Sequence, residues 1–329
     1  MPLPVLQRVE RRRRRRLRPL PVLLALLAAA AVVYGGVRVR EDEGHASVPT
    51  AAAAGRTPKA RELPRLSRAR PHVLPLLVGR PALRHAFRPP LYARSALLVD
   101  ASSGRVLWAL RPFVSRPVAS TTKIMTAILA LERLRPKDVV RVDRAAPRAA
   151  LLREGLRAGE RVRAWKLLYG LMLFSGNDDA LALAVAAGGS RSAFVEEMNE
   201  KAHELGLRHT HFRSPSGVID RDNHSSAWDL AALTRYAMRN ARFRAVVRTR
   251  IKRVSWAAPT FAKVYVNKNP LLGRYPGADG VKTGWTTLAG HCLVASAHRG
   301  DKRLIAVVLA SSDAYGDARR LLDFGFRSL

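Results

Sequence analysis

Residues 119–127 read Ala-Ser-Thr-Thr-Lys-Ile-Met-Thr-Ala, and they place Ser120 and Lys123 at the start of a predicted helix, Ser120–Leu134. Residues three positions apart share one helical face, so the lysine amine can reach the serine hydroxyl. A serine hydroxyl is a weak nucleophile that needs a base, and the free N–H groups of a helix N-terminus can stabilise a developing oxyanion. The pattern indicates nucleophilic catalysis, although a serine at this position is also an ordinary helix N-cap.

The segments around this helix predict the fold. Two strands with a short turn precede it, helical patterns follow, and strands return before a last helix. The predicted strands are 95–100, 105–110, 280–286, 291–297 and 304–310, and the other predicted helices are 164–174, 178–187, 191–205, 226–239 and 317–326, with Ser190 and Ser225 as N-caps. This order predicts an α/β (α+β) domain over 91–329. One antiparallel sheet is assembled from both ends of the domain and flanked by helices, with an all-helical part inserted at about 135–250.

Two further motifs extend the chemistry. Ser175-Gly-Asn177 follows a predicted helix, where it can present a hydroxyl and an amide to a cleft. Lys282-Thr283-Gly284 lies on a predicted strand whose edge can pair with an extended peptide. A lysine that acts as a base near pH 7 needs its pKa lowered from about 10.4, and a second cation such as Lys282 would help to lower it. Each motif alone is weak, because each also fits a cap or a solvated side chain, but the three in this order are specific.

With these motifs, residues 91–329 resemble the serine D-alanyl-D-alanine carboxypeptidases, which are low-molecular-mass penicillin-binding proteins of the SxxK/SxN/KTG type. The stretches that carry the resemblance are 98–107, 119–127, 173–180, 199–207, 275–284 and 303–309. It implies a DD-peptidase/β-lactamase-like fold and removal of the terminal D-Ala from peptidoglycan stem peptides outside the cell membrane. It also implies covalent inhibition by β-lactam antibiotics.

The resemblance further implies a role for each motif residue. Ser120 would be the acylated nucleophile and Lys123 its general base, while Ser175 and Asn177 would relay a proton and orient the substrate. The substrate would be bound by Lys282, Thr283, Gly284 and Trp285, with the N–H groups of Ser120 and Trp285 as the oxyanion hole. Relatives often carry an Arg in the loop before the last helix that helps to hold the substrate carboxylate. Here that loop, 311–317, contains no Arg, and Arg319 is the nearest basic residue.

The N-terminus indicates export. Arg11–Arg16 and Arg18 precede the uncharged stretch Pro19–Val37, which as a helix would reach about 28 Å, near the thickness of a bilayer core. The arginines predict a cytoplasmic N-terminus, so we expect residues 1–37 to be a basic tail with a single transmembrane anchor. A cleaved signal peptide, which would yield a secreted protein, is the alternative. Residues 38–90, rich in Pro, Ala and Arg, predict a linker, and we expect the N-terminal span to be the tether in place of a C-terminal anchor or second domain.

The net charge of the chain leaves other functional classes of protein open. The chain carries 58 Lys and Arg against 25 acidic residues, a net charge of +33, which favours anionic partners. Aromatic residues make up only 6% and show no stacking pattern, so nucleic acid is not a predicted partner. The alternatives to a carboxypeptidase are a DD-endopeptidase, a β-lactamase of the same fold, or a non-catalytic wall-binding protein.

Metals and thiol chemistry are not expected. His203, His209 and His211 do not match a common zinc spacing, and no metal or cofactor is predicted. Cys292, the single cysteine, lies in an apolar run typical of a buried strand. The helix-start acids Asp178 and Asp179 are assigned to helix stabilisation, and Trp285 is equally consistent with a cleft wall and with packing.

Overall fold

The computed structural model describes residues 75–77, 89–218, 222–256 and 261–329. They belong to the unit Ser67–Leu329. The basic tail and apolar segment (1–37) and all of the linker except 75–77, 89 and 90 lie outside the described residues. The division of the chain at these boundaries therefore stays a prediction. In the part of the chain that is described, no helix is both long and apolar enough to cross a membrane.

The strands contribute one large sheet and three short pairs. In chain order they are β1 Ser95–Asp100, β2 Val106–Leu110, β3 Arg116–Pro117, β4 Val139–Arg141, β5 Arg161–Arg163, β6 His224–Ser225, β7 Ile251–Val254, β8 Lys263–Val266, β9 Ala278–Thr286, β10 Gly290–Arg299 and β11 Lys302–Ser311. The large sheet has the order β2-β1-β11-β10-β9, and all of its neighbouring strands are antiparallel. The predicted sheet built from both ends of the domain is confirmed, with β9 at one edge.

The helices lie between and after these strands. They are α1 Lys123–Arg133, α2 Ala164–Tyr169, α3 Asn177–Gly188, α4 Arg191–Glu204, α5 Ala227–Ala237, α6 Ala241–Val247 and α7 Ala314–Ser328, with a 3₁₀ turn at Ala119–Thr122 and a π-helical turn at Gly170–Phe174. The predicted fold class, an antiparallel sheet flanked by helices with an inserted helical part, is confirmed. The insertion is not all-helical, however, because β4, β5 and β6 lie within 135–250.

Alternation along the strands divides the core into two layers. Successive side chains of a strand point to opposite faces of the sheet. Leu97 and Val99 of β1 therefore pack with the inserted helices, whereas Leu98 packs in a second cluster with Leu321 and Leu322 of α7. Both faces of the sheet are thus covered, which explains why its strands read as nearly continuous apolar runs.

Three local predictions are corrected. The N-cap of α5 is Ser226, whose hydroxyl accepts from the Asp229 amide at 3.1 Å, because Ser225 belongs to β6. The last helix begins at Ala314 rather than 317, with Asp313 accepting from the Gly316 amide. The helix predicted over 164–174 is α-helical only to Tyr169. The Ser190 cap of α4 is confirmed by its 3.1 Å hydrogen bond from the Ala193 amide.

A short segment before the domain fastens to the β2 edge of the sheet. The Leu77 amide donates to the Gly104 carbonyl at 2.8 Å, and the Val106 amide donates to the Leu77 carbonyl at 2.9 Å. The Arg235 guanidinium of α5 donates to the Pro75 carbonyl at 3.2 Å. Residues 75–77 therefore cover part of the sheet edge farthest from β9.

The packing of α7 predicts a large effect of truncation. Leu321→Ala removes a side chain with no exposed surface and should lower the free energy of unfolding by about 2–5 kcal/mol. Val266→Ala, at a site that is 59% exposed on β8, is the matched control and should change it by less than about 0.5 kcal/mol. Urea unfolding followed by circular dichroism measures both, and equal effects would contradict the assigned packing.

Candidate active site

Ser120 lies in the 3₁₀ turn that leads into α1, pressed against strand β9. The serine is 8% exposed. A Cβ atom added to Gly284 would lie 3.0 Å from the Ser120 nitrogen and 3.1 Å from the Val118 carbonyl oxygen. Glycine at 284 is therefore what lets the strand approach the backbone of the turn, and it brings the first and third sequence motifs into contact.

Lys123 is enclosed completely, and its amine is surrounded by oxygen atoms. Its Nζ lies 2.9 Å from Ser120 Oγ, 2.8 Å from Asn177 Oδ1 and 3.0 Å from the Ser216 carbonyl oxygen. Burial lowers the pKa of Lys123 well below its ordinary value, and the charge of Lys282 lowers it further. A neutral amine can donate its two hydrogens to the Asn177 and Ser216 oxygens, which leaves the lone pair for the Ser120 hydroxyl proton.

Lys282 forms a second buried amine on β9. Its Nζ donates to Ser175 Oγ and to the Thr283 carbonyl, both at 3.0 Å. Burial lowers the pKa of Lys282 to about 7, with a smaller contribution from the charge of Lys268. Because Lys282 occupies an acceptor position of the Ser175 hydroxyl, that hydroxyl keeps its own proton free to donate into the cleft.

The backbone that presents Ser175 is unusual. The helix before it widens into the π turn, and Ser175 itself has a left-handed conformation with φ of 73°. The Ser175 and Gly176 amides both donate to the Gly170 carbonyl, at 2.9 and 3.2 Å. π turns and positive φ at non-glycine residues are concentrated at functional sites, where surrounding structure must hold them.

The N-terminus of α3 provides part of that support by binding the loop 150–156. The Asn177 amide donates to the Leu152 carbonyl at 2.8 Å, and its side-chain Nδ2 donates to the Ala150 carbonyl at 2.9 Å. The Asp178 carboxylate accepts from the amides of three consecutive loop residues, Glu154 to Leu156, at 2.9–3.1 Å. The sequence assigned Asp178 only to helix stabilisation, but it also fixes one wall of the site.

The Asp179 carboxyl group lies beneath the Ser175 turn, beside Gly170 and Gly176. It has no exposed surface, and neither of its carboxyl oxygens receives a hydrogen bond from the described residues. A Cβ atom on Gly176 would lie 2.0 Å from Asp179 Oδ2, and one on Gly170 would lie 2.5–2.6 Å from both Asp179 and Glu154 oxygens. Two carboxyl groups therefore meet directly behind the second motif.

The surroundings of the Asp179 and Glu154 carboxyl groups indicate which of the two carries a proton. Burial raises the pKa of Glu154, but the charge of Lys263 at 3.2 Å and the hydrogen bond from the Tyr265 hydroxyl at 2.5 Å oppose that rise, so Glu154 is the partner that ionises more readily. Burial raises the pKa of Asp179 well above its ordinary value, and the charges of Glu154 and Asp178 raise it further. Asp179 is the protonated partner and can donate to Glu154, since an isolated buried carboxylate would be very costly.

These groups surround a cleft of roughly 630 Å³. Six of the eight predicted site residues line this cleft, namely Ser120, Ser175, Asn177, Thr283, Gly284 and Trp285. The other two, Lys123 and Lys282, lie behind it. The Trp285 side chain is 58% exposed, which makes it a rim residue rather than part of the core. Sequence reasoning missed further lining residues, among them Leu151, Leu152, Lys268 and Tyr315 from distant parts of the chain and Leu288 close to Trp285.

The remaining candidates are not among the residues that line the cleft. Cys292 is buried in β10, as predicted, and burial raises the pKa of its thiol to about 11. His203 and His211 line a separate cavity with Arg208. Arg319 is not among the residues that line the cleft.

Comparison with known proteins gives consistent similarities. A family model described as D-alanyl-D-alanine carboxypeptidase matches residues 84–313. The D-alanyl-D-alanine carboxypeptidase DacF of Bacillus subtilis is 34% identical over 249 residues, which span 71% of this chain but only 62% of DacF. The D-alanyl-D-alanine carboxypeptidase of Streptomyces sp. K15 is 36% identical and is covered over 89% of its length. The crystal structure of the Streptomyces K15 DD-transpeptidase superposes with a TM-score of 0.70 at 34% identity, covering 74% of this chain and 100% of that one.

The carboxyl pair predicts an unusual dependence of stability on pH. Unfolded Asp179 ionises near pH 4, whereas the folded protein holds its proton to higher pH. Its stabilising contribution is therefore complete below about pH 4 and is lost as the pH rises toward the folded pKa. Asp179→Asn keeps the shape and a donor for Glu154 but cannot ionise, so it should be more stable than the parent at pH 7, by on the order of 1–3 kcal/mol.

Thermal unfolding between pH 4 and 8 tests this expectation. The advantage of Asp179→Asn should shrink toward pH 4. Asp178→Asn is the matched control and should destabilise at pH 7, because it weakens charge-assisted hydrogen bonds from three amides. A loss of stability in Asp179→Asn at pH 7 would contradict the protonated state assigned to Asp179.

Proposed function

The chain belongs to the D-alanyl-D-alanine carboxypeptidase family, and we propose that it is a serine acyl-transfer enzyme that removes the terminal D-Ala from peptidoglycan stem peptides. The observation that carries the proposal is the 2.9 Å contact between Ser120 Oγ and a fully buried Lys123 amine whose pKa is lowered. This pair gives the hydroxyl the base that it needs for attack on an amide.

In the proposed acylation step, neutral Lys123 takes the proton of Ser120 as Oγ attacks the carbonyl carbon of the penultimate D-Ala. The amides of Ser120 and Trp285 hold the oxyanion. The C–N bond then breaks, and the leaving D-Ala amine takes a proton from the Ser175 hydroxyl, which Lys282 contacts at 3.0 Å. The proton that Lys123 took from Ser120 replaces the one that Ser175 gave, so Lys123 is neutral again. Asn177 orients the substrate and the lysine.

The acyl-enzyme is next hydrolysed. Water attacks the ester carbonyl while neutral Lys123 accepts its proton. Lys123 then gives that proton to Ser120 Oγ as the C–O bond of the ester breaks, which regenerates the serine and releases the shortened peptide. A β-lactam acylates Ser120 in the same way but leaves its amine tethered to the acyl group.

The cleft argues against a fast β-lactamase. Among the described residues that line it, none is Asp or Glu, and Asp178 and Asp179 face the 150–156 loop and Glu154 respectively. Class A β-lactamases use a positioned glutamate to activate the water that hydrolyses the acyl-enzyme. We therefore expect a penicilloyl ester on Ser120 to be long-lived. A DD-endopeptidase differs only in its leaving group and is separated by experiment.

The nucleophile is tested with the full chain and a peptide that ends in D-Ala-D-Ala. Ser120→Ala should lower D-Ala release on the order of 10³-fold or more and abolish covalent labelling by fluorescent penicillin. Ser103→Ala, in the exposed β1–β2 turn, is the control and should behave like the parent. Retained labelling in Ser120→Ala would reject this nucleophile, and cleavage of crosslinked muropeptides without D-Ala release would favour the endopeptidase.

We also propose that residues 19–37 anchor the protein in the cell membrane with the catalytic domain outside. The support is the basic cluster Arg11–Arg16 followed by an uncharged stretch of 19 residues. In bacterial cells that express the full chain, the protein should stay in the membrane pellet after high-salt and alkaline washing. Its intact mass should include residues 1–37, whereas a soluble product without them would establish a cleaved signal peptide.

A further inference from the structure

The hairpin formed by β7 and β8 presents apolar side chains to water on its outer face. Ile251 pairs with Val266 across the two strands, and Arg253 pairs with Val264. We call these four residues the outer face, and its three aliphatic side chains are 57–59% exposed. A solvated face of an antiparallel pair is normally polar, so the pattern of this hairpin is the reverse of the expected one.

The polar side chains of the hairpin lie on its inner face, where the domain satisfies them. Lys252 Nζ lies 5.1 Å from the centre of the Tyr169 ring. Lys263 pairs with Glu154 at 3.2 Å, and the Tyr265 hydroxyl donates to the same carboxylate at 2.5 Å. The hairpin is therefore attached to the domain through cation–π and charged contacts, to which its exposed aliphatic side chains contribute little.

A fourth exposed apolar side chain belongs to the same segment. Phe261, two residues before β8, is 86% exposed. Apolar side chains that are scattered singly over a surface need no explanation, but several on one small element are typical of an interaction site. The hairpin therefore has the composition of a docking element.

The charge around the hairpin has one sign. Residues 230–278 include eleven Lys and Arg and no Asp or Glu. Arg248 and Arg250 precede β7, Arg253 lies in the outer face, and all three are exposed. No ion pair joins any of the three to a carboxylate of the described residues. Their charge is available to an anionic partner.

Charge and apolar exposure together select the kind of partner. A second copy of this chain, or its own arginine-rich linker 38–90, would bring like charges together. A soluble polyanion would pair with the arginines but would leave the apolar side chains in water. An anionic phospholipid bilayer meets both requirements, because apolar side chains enter the boundary between headgroups and acyl chains while basic side chains contact the phosphates.

We propose that the outer face of the β7–β8 hairpin docks onto the anionic surface of a phospholipid bilayer and thereby orients the catalytic domain. Strand β8 ends at Val266, and Lys268, two residues later, lines the cleft, at most about 7 Å further along the chain. Docking therefore holds the cleft close to the bilayer, whereas a tether alone leaves the domain free to rotate. The inference goes beyond the proposed carboxypeptidase function and does not require it.

The test uses the full chain reconstituted with vesicles of phosphatidylcholine alone, or of phosphatidylcholine mixed with an equal amount of phosphatidylglycerol. Val264→Cys carries a fluorophore whose emission shifts to the blue in lipid, and the native Cys292 is buried. Ser103→Cys, in the exposed β1–β2 turn, is the matched control. We expect a blue shift of the Val264→Cys probe in the vesicles with phosphatidylglycerol, and the emission of a water-exposed probe from Ser103→Cys in both.

A second set of variants tests the charge. Arg250→Gln combined with Arg253→Gln, in the chain that carries the Val264→Cys probe, should lower the ratio of docked to undocked domain on the order of 10- to 30-fold, since each basic residue near an anionic surface contributes roughly a factor of five. Arg105→Gln combined with Arg208→Gln removes two exposed arginines outside the hairpin and should leave the ratio nearly unchanged.

Three outcomes would overturn the proposal. The first is a Val264→Cys probe whose emission matches that of the Ser103→Cys probe in both kinds of vesicle. The second is a shift that follows the density of the protein instead of the phosphatidylglycerol content, which would assign the outer face to a second copy of the chain. The third is an equal shift with soluble polyphosphate in place of phosphatidylglycerol, which would assign it to a soluble polyanion.

Discussion

The enclosure of the Lys123 amine is the constraint on which the site depends. Removing an ammonium group from water costs several kcal/mol unless a counter-charge compensates, and the atoms that contact Nζ are neutral oxygens. These oxygens come from three separate parts of the chain: the 3₁₀ turn, the start of α3 and the segment before Gly217. The fold must hold all three around one amine. The activation of Ser120 therefore depends on how the helical insertion packs onto the sheet.

The same physical effect favours the neutral form of both the basic and the acidic groups that are buried around the Ser175 turn. Burial removes charge from the basic groups, because it lowers the pKa of Lys123 and Lys282. It also removes charge from Asp179, whose pKa it raises. The turn at Ser175, whose backbone is left-handed, is held between these groups. Asp179 lies on one side of it, and Lys282 contacts the Ser175 hydroxyl on the other. The electrostatic design therefore limits the number of full charges near the nucleophile.

The parts of this arrangement that the sequence predicts are those set by local spacing. Ser120 and Lys123 are one turn apart, and Lys282 to Trp285 lie on one strand, so their proximity follows from helix and strand geometry. Leu151, Lys268 and Tyr315 have no such signature, because tertiary packing alone brings a loop, a connection and a helix start to one cleft. Helix α6 was missed for a related reason: its seven residues span only about two turns, too short a window for periodicity to distinguish. The raised pKa of Asp179 was also out of reach, since its causes are burial in the folded protein and the charge of Glu154, 25 positions away in the chain.

The segment 75–77 has a mechanical consequence. It is fastened by backbone hydrogen bonds and by Arg235 to the β2 edge, and the order β2-β1-β11-β10-β9 separates that edge from the motif strand by four strand spacings, about 19 Å. Force applied through the preceding chain would load these hydrogen bonds first. Peeling them would expose an outer strand while the nucleophile, the buried amines and the β9 edge kept their geometry. The edge that holds residues 75–77 can thus be loaded while the cleft at the opposite edge stays intact.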